Sequence, residues 1–358
     1  MCSSDLYVDN MGHDMFFIKP EAKEQLLQLK HDFQAEGKKD DPFELKYIID
    51  NFVRNPEIGF VPTDSIVMTV DKAAVLRSGM KLPHGKDSIP DKMFISLRGK
   101  RILTKSEMMV YEMLAHHDWT RPLYMSTTLG GDNQAGLDNY LMLEGLAARV
   151  TPFKLGDSGV DTERMYDNFM KKFRYGHIAD PKVYVDQTVM RTCYTHRMRF
   201  AQLAQQLIKE GKRDKALKAL EKCEQVLPQR QVPYEVWSLG IDSKTGLLMM
   251  PECYRELGKT KEAERILKAV ADRSLAYFDW YNSFSESRLS SMSGDIMQQY
   301  QILGMAIDGL QKCKSPLAGV YIKRVDQLQR TTAGHVLISA MNARRAAAAA
   351  PGNGGEDE

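Results

Sequence analysis

Four clusters of residues in this 358-residue chain could carry chemistry. His116, His117 and Asp118 follow one another and invite a metal reading, but adjacent helical residues point about 100° apart and cannot share a face as i,i+4 ligands do. The spacing therefore predicts the end of a helix, where imidazole suits the dipole, and no metal site. The stretch "LGGDNQAGLDNY" follows an extended segment, and its glycines would let backbone amides approach an anion or a sugar. It has neither GxGxxG nor a P-loop lysine, so Gly130, Gly131, Asp132 and Asn133 are candidate ligand-binding positions without a nucleotide fingerprint. Asp132, Asp138 and Glu144 are acids with nothing to fix them as a catalytic pair. The five cysteines, Cys2, Cys193, Cys223, Cys253 and Cys313, form no CxxC and have no local histidine partner signature. No catalytic residue and no cofactor is assigned.

The elements around these residues divide into two patterns. Residues 20–36 and the stretch "DDPFELKYIIDNFV" read as two helices, the second with Asp41 as N-cap, Pro42 in its first turn and Glu44 completing a capping box. Residues 7–60 thus form a helical lead-in. Residues 61–155 read as a small α/β domain. "SIVMTV", "KMFISL" and "RPLYMSTT" are its strands, and Asp71 caps a short helix ending at Gly79. "TKSEMMVYEMLAHHDW" is a helix opened by a Thr104–Glu107 capping box, and strand–helix–strand at this spacing suggests a parallel βαβ unit. "GLDNYLMLEGLAARV" reads as a further amphipathic helix.

A helical connector, 156–195, leads to the clearest pattern. "FAQLAQQLIKEGKRDKALKALEKCEQVLP" fits a tetratricopeptide repeat: Phe200, Leu203, Ala204 and Leu207 on the first helix, Gly211 in the turn, then Ala216, Leu220, Cys223 and Pro228. A second copy carries Tyr254, Gly258, Ala263, Leu267 and Val270, with Pro251 at a small position of its first helix. Gly211 and Gly258 are 47 residues apart instead of the ~34 of the repeat, so an insertion separates the copies. Residues 196–330 form this repeat region, with further helices near 293–312 and 317–330, and 331–358 a disordered tail. The fold class is α+β: a small α/β layer followed by all-α tetratricopeptide-like repeats. Ala201, Gln205 and Ile208 fall on the concave side of the first repeat helix and are candidate partner-binding positions. Trp280 and Tyr281 read as packing against the last repeat.

The net charge of +2 and the lack of a Lys/Arg block exclude an electrostatic nucleic-acid binder. No apolar run approaches the ~18 residues of a membrane span.

Five segments in order, "PDKMFISLRGKRILTKSEMMVYEML", "WTRPLYMSTT", "LDNYLMLEGLAARVTPF", "MYDNFMKKFRYGHIADPKVYVD" and "FAQLAQQLIKEGKRDKALKALEKC", resemble the C-terminal extramembrane part of a bacterial membrane-protein family. That family is similar to the protein O-mannosyltransferase-like proteins of glycosyltransferase C-type fold. The resemblance spans roughly residues 55–290. It implies a membrane glycosyltransferase using a lipid-linked sugar donor, with this region periplasmic and its catalytic acid in a membrane half absent here. The partners implied are that membrane half and an acceptor protein or peptide. The alternative is a free-standing tetratricopeptide-repeat adaptor. The opening "MCSSDL" fits this reading: the bases GTG TGC TCT TCC GAT CT of a common sequencing adapter encode it from an initiating GTG. Residues 1–6 are accordingly expected to be non-native, joined to a gene broken upstream.

Overall fold

The computed structural model describes residues 15–349 except 56, 84, 130–133, 156–158 and 235–245. The chain divides into two compact units, Met1–Met165 and Tyr166–Glu358.

The first unit opens with strand β1, Met15–Phe17, in which Phe16 is fully buried between exposed Met15 and Phe17, the period-two signature of a strand. Helix α1 spans Lys23–Ala35 and α2 spans Leu45–Ile48, running on into a π-turn at Ile49–Val53. Next come β2, Ser65–Thr69, and α3, Lys72–Arg77, capped by Asp71 accepting from the Ala74 amide. Strands β3, Lys92–Ser96, and β4, Ile102–Thr104, precede α4, Lys105–Ala115. The Thr104–Glu107 capping box is formed in both directions. Strands β5, Tyr124–Ser126, β6, Leu141–Leu143, and β7, Ala147–Val150, complete the unit.

Three expectations are corrected here. The sheets are antiparallel: β1 pairs with β4, β2 with β3, and β7 lies between β5 and β6. β3 and β5, which flank α4, therefore belong to different sheets, and the expected parallel βαβ unit is not formed. The stretch read as a helix at 136–150 is the β6–β7 hairpin, registered Leu141↔Val150. A short apolar run satisfies either period, and pairing of Met125 with Ala148 decides for strand. The lead-in is no separate layer, because Phe16, Ile18, Leu45, Ile48 and Ile49 share one buried core with Ile66, Ile95, Tyr111, Leu114 and Val150.

The second helix also begins later than its motif suggests. Glu44 is extended at its N-cap without capping, and its carboxylate instead accepts from the Thr69 amide, at 3.1 Å, and hydroxyl. Asp41 accepts from the Phe43 amide and from Lys92 and Lys30 at 2.7 and 3.2 Å. Burial pushes the Asp41 carboxyl up, but these donors hold it below its ordinary value.

Helix α5, Thr162–Asp167, and a π-turn at Asn168–Lys172 carry the chain into the second unit. Helix α6, Gln187–Lys209, and α7, Arg213–Val226, form one helical hairpin; α8, Gly246–Glu256, and α9, Thr260–Tyr281, form another. Gly211 and Gly258 sit at the corresponding turns, each with φ +75°, a backbone conformation that penalises any Cβ. Ala204, Ala216 and Ala263 are fully buried at the helix contacts. α10, Glu286–Ser291, α11, Ser293–Lys312, α12, Leu317–Leu328, and α13, Thr332–Ala349, follow. Helix α13 occupies residues expected to be disordered; its buried Ala333, Val336 and Leu337 give it a packing face. Among the described residues no helix is long and apolar enough to cross a membrane.

Candidate functional site

The site forms where α4 ends in the first unit. Its capping box fixes the start, and Met108, Tyr111, Glu112 and Leu114 make the buried face. A carboxylate on that face needs a partner, since an unpaired buried charge is costly. Arg54, at the close of the π-turn, donates to Glu112 Oε1 and, from its other nitrogen, to Asp50 at 2.7 Å. One helical turn beyond, His116 Nδ1 lies 3.0 Å from the Glu112 carbonyl oxygen and 3.4 Å from its carboxylate. Facing these acceptors, Nδ1 carries the proton, and Nε2 is left for another contact.

His116 occupies the C-cap of α4, so the helix-end reading of this histidine pair describes its position. His117 packs edge-on against Trp119, ring centres 4.8 Å apart. Burial pushes His117 below the ordinary imidazole value, Asp118 pulls it up, and Arg149 lowers it further. Trp119 is fully buried at φ +63°, and its indole nitrogen has no hydrogen-bond partner. Arg121, exposed, completes the rim.

Two clefts meet at His117. One, of about 630 Å³, is lined by Arg54, Glu112, His116, His117 and Arg121. The other, of about 610 Å³, sets Lys39, Lys46 and Lys92 beside Asp40, Asp41 and Asp50. The first offers the guanidiniums of Arg54 and Arg121, groups that recognise an anionic oxygen, beside the His116 Nε2 acceptor. The second mixes both charges, and its carboxylates at Asp41, Glu44 and Asp50 are already engaged by Lys92, Thr69 and Arg54. Among the described residues no group of three or more His, Cys, Asp or Glu side chains comes together to hold a metal.

A second polar cluster stabilises the β6–β7 hairpin. Tyr124 donates to buried Glu144 at 2.5 Å, and Arg164 does so at 3.1 Å, while Arg149 lies 3.9 Å away. Arg164 and Arg149 also donate to the carbonyls of Gly79 and Ser78. These contacts tie the hairpin to the turn after α3.

The candidate ligand-binding residues Gly130, Gly131, Asp132 and Asn133 lie outside the described residues. Asp138 is exposed in a short 3₁₀ turn and Glu144 is buried among arginines. In the second unit, Ala201 is fully buried, its carbonyl 3.8 Å from the Cys253 thiol, which takes it out of any open face. Gln205 and Ile208 are half-buried. Burial pushes the thiols of Cys223 and Cys253 up to about 12, so both are inert as nucleophiles.

Sequence reasoning singled out His116 and His117 only to set them at a helix end, and it named none of Arg54, Glu112 and Arg121. A glutamate on the apolar face of α4 was the available signal; its partner 58 positions away was not. Comparison with curated proteins and with solved structures finds no match. Residues 3–168, a span that nearly coincides with the first unit, match the family model described as TMEM260-associated domain 2, a family of unknown function.

Proposed function

We propose that this chain is the extramembrane, binding region of a membrane glycosyltransferase-like protein, similar to the protein O-mannosyltransferase-like proteins. Its first unit docks on the membrane-embedded half and presents the clefts at His117. Its helical hairpins engage an acceptor protein or peptide on the periplasmic side. The catalytic half and the lipid-linked sugar donor belong to the membrane part.

The observation that carries the glycosyltransferase part of this reading is the five-segment resemblance; the match over residues 3–168 supports only an association with another protein, because the matched domain is described by its association with TMEM260 and not by a reaction of its own. The test is the genomic sequence upstream of the Met1 codon. An open frame continuing into membrane-spanning segments is expected, and an in-frame stop there overturns the reading. A specific observation supports the alternative of a free-standing tetratricopeptide-repeat adaptor: two successive helical hairpins turn at glycines of identical φ. That alternative is what an upstream stop would leave.

A further inference from the structure

The first cleft at His117 holds a donor and an acceptor side by side. Glu112 is 5% exposed, and its carboxylate contacts run through Oε1, which takes Arg54 and faces His116 Nδ1 at 3.4 Å. Among the described residues nothing donates to its second oxygen, Oε2. That oxygen is not sealed in, because Glu112 lines the cleft. A carboxylate oxygen so placed takes a donor from whatever fills the space beside it. Arg54 gives one N–H to Asp50 and one to Glu112, and its guanidinium carries further N–H groups on a side chain 40% exposed. His116, with Nε2 left as an acceptor, lines the same cleft, and Arg121 closes its rim as an exposed cation. Exposed Met113 and Pro122 and half-buried Leu123 supply an apolar wall.

We infer that this cleft binds a sugar ring, two neighbouring hydroxyls bridging Glu112 Oε2 and the Arg54 guanidinium while the C–H face of the ring lies on Met113, Pro122 and Leu123. Charge decides the class of ligand. The guanidiniums of Arg54 and Arg121 are balanced in number by the carboxylates of Asp50 and Glu112, and burial disfavours a charged His117. An anion would meet the open oxygen of Glu112, and a cation would meet the two guanidiniums. A hydroxyl both donates and accepts, so it satisfies either group without adding charge. Neighbouring ring hydroxyls sit about a hydrogen bond apart, as the bonded atoms of Arg54 and Glu112 do. A trans peptide group sends its N–H and C=O in opposite directions and cannot meet both at once. The volume, about 630 Å³, falls within the range of small-molecule sites. The inference rests on side chains of the first unit alone. An in-frame stop upstream of Met1 would leave it standing, and its own failure leaves the reading above untouched.

The test uses the whole chain and NMR of the His116 and His117 ring protons. The probes are methyl α-D-glucopyranoside and the corresponding mannoside and galactoside, which each differ from it in the orientation of one hydroxyl. Saturable shifts are expected with at least one of them, and unequal affinities across the three. Glu112→Gln should weaken binding about tenfold, because the open oxygen loses its charge. Arg121 and Met113 are exposed, so Arg121→Ala and Met113→Ser should keep the wild-type circular dichroism spectrum and weaken binding several-fold each. Mannose 1-phosphate distinguishes two sources of the sugar. Tighter binding than the methyl mannoside assigns it to a phosphate-linked carrier, and equal binding to a glycan on an acceptor; the hydroxyl contacts stand in both cases. No shift with any glycoside, affinities indifferent to Glu112→Gln and Arg121→Ala, or inorganic phosphate or acetamide binding as tightly as the glycosides overturns the proposal.

Discussion

The guanidinium of Arg54 donates to the buried carboxylate of Glu112, joining the turn after α2 to the inner face of α4. The two partners are unequally placed, the Arg54 side chain being 40% exposed and that of Glu112 only 6%. Removing Arg54 strands a charge in the core; removing Glu112 leaves an arginine that still reaches Asp50 and water. Arg54→Met should therefore cost about 3 kcal/mol, and Glu112→Gln about 1 kcal/mol. Urea unfolding of the two variants measures both. Equal losses would show that Glu112 does not depend on Arg54.

The lowered His117 fixes a direction for pH dependence. Its folded form resists protonation because burial opposes the charged ring, while the unfolded ring takes a proton near ~6.5. Between the folded value and ~6.5 the unfolded state binds more protons, so this contribution is intact above ~6.5 and is lost as pH falls through that window. Asp118 is the group pulling His117 up, so Asp118→Asn should lower the His117 titration further. An NMR titration of the ring protons reads this directly, and an unchanged or raised value would refute the assigned cause.

The local signals of the sequence were read well where the chain itself supplies the partner. The Thr104–Glu107 box and the Asp71 cap are both formed, because donor and acceptor lie within three residues. The turns at Gly211 and Gly258 were equally legible. What failed was decided by distant groups. Glu44 follows a capping-box pattern, yet Thr69 competes for its carboxylate and Lys92 and Lys30 for that of Asp41. Leu141–Leu143 and Ala147–Val150 are apolar enough for a helix, but β7 has an open partner in β5. The site failed for the same reason: Arg54 and Glu112 meet only after the first unit has folded.

In the second unit, Arg197 is a buried charge with an uncharged retinue. It donates to the carbonyls of Pro233, Leu227 and Val232 at 2.8, 2.8 and 2.6 Å and lies over the Tyr234 ring at 4.7 Å. These bonds close the end of α7 and the loop behind it. Arg197→Met takes this donor from the Leu227 and Val232 carbonyls, while that of Pro233 keeps the Tyr194 hydroxyl, and should cost about 3 kcal/mol. Arg197→Lys should not recover the loss, because a point ammonium cannot reproduce the planar fork. Thermal melts of both variants test this, and full rescue by lysine would mean that charge alone matters there.

Three glycines separate helix propensity from packing. A Cβ at Gly304, within α11, would meet nothing within 4 Å, so Gly304→Ala should stabilise by roughly 1 kcal/mol through lost backbone freedom in the unfolded chain. At Gly309, on the same helix, the Cβ would lie 2.7 Å from a Leu267 methyl. That side-chain end can move, so Gly309→Ala should fall near neutral or slightly destabilising. At Gly334 the Cβ would come within 2.0 Å of the Leu328 carbonyl oxygen, which is backbone and cannot yield without separating α13 from the end of α12. Gly334→Ala should therefore melt lowest and Gly304→Ala highest. The same order in differential scanning calorimetry is expected; a Gly334→Ala protein as stable as the wild type would place α13 elsewhere.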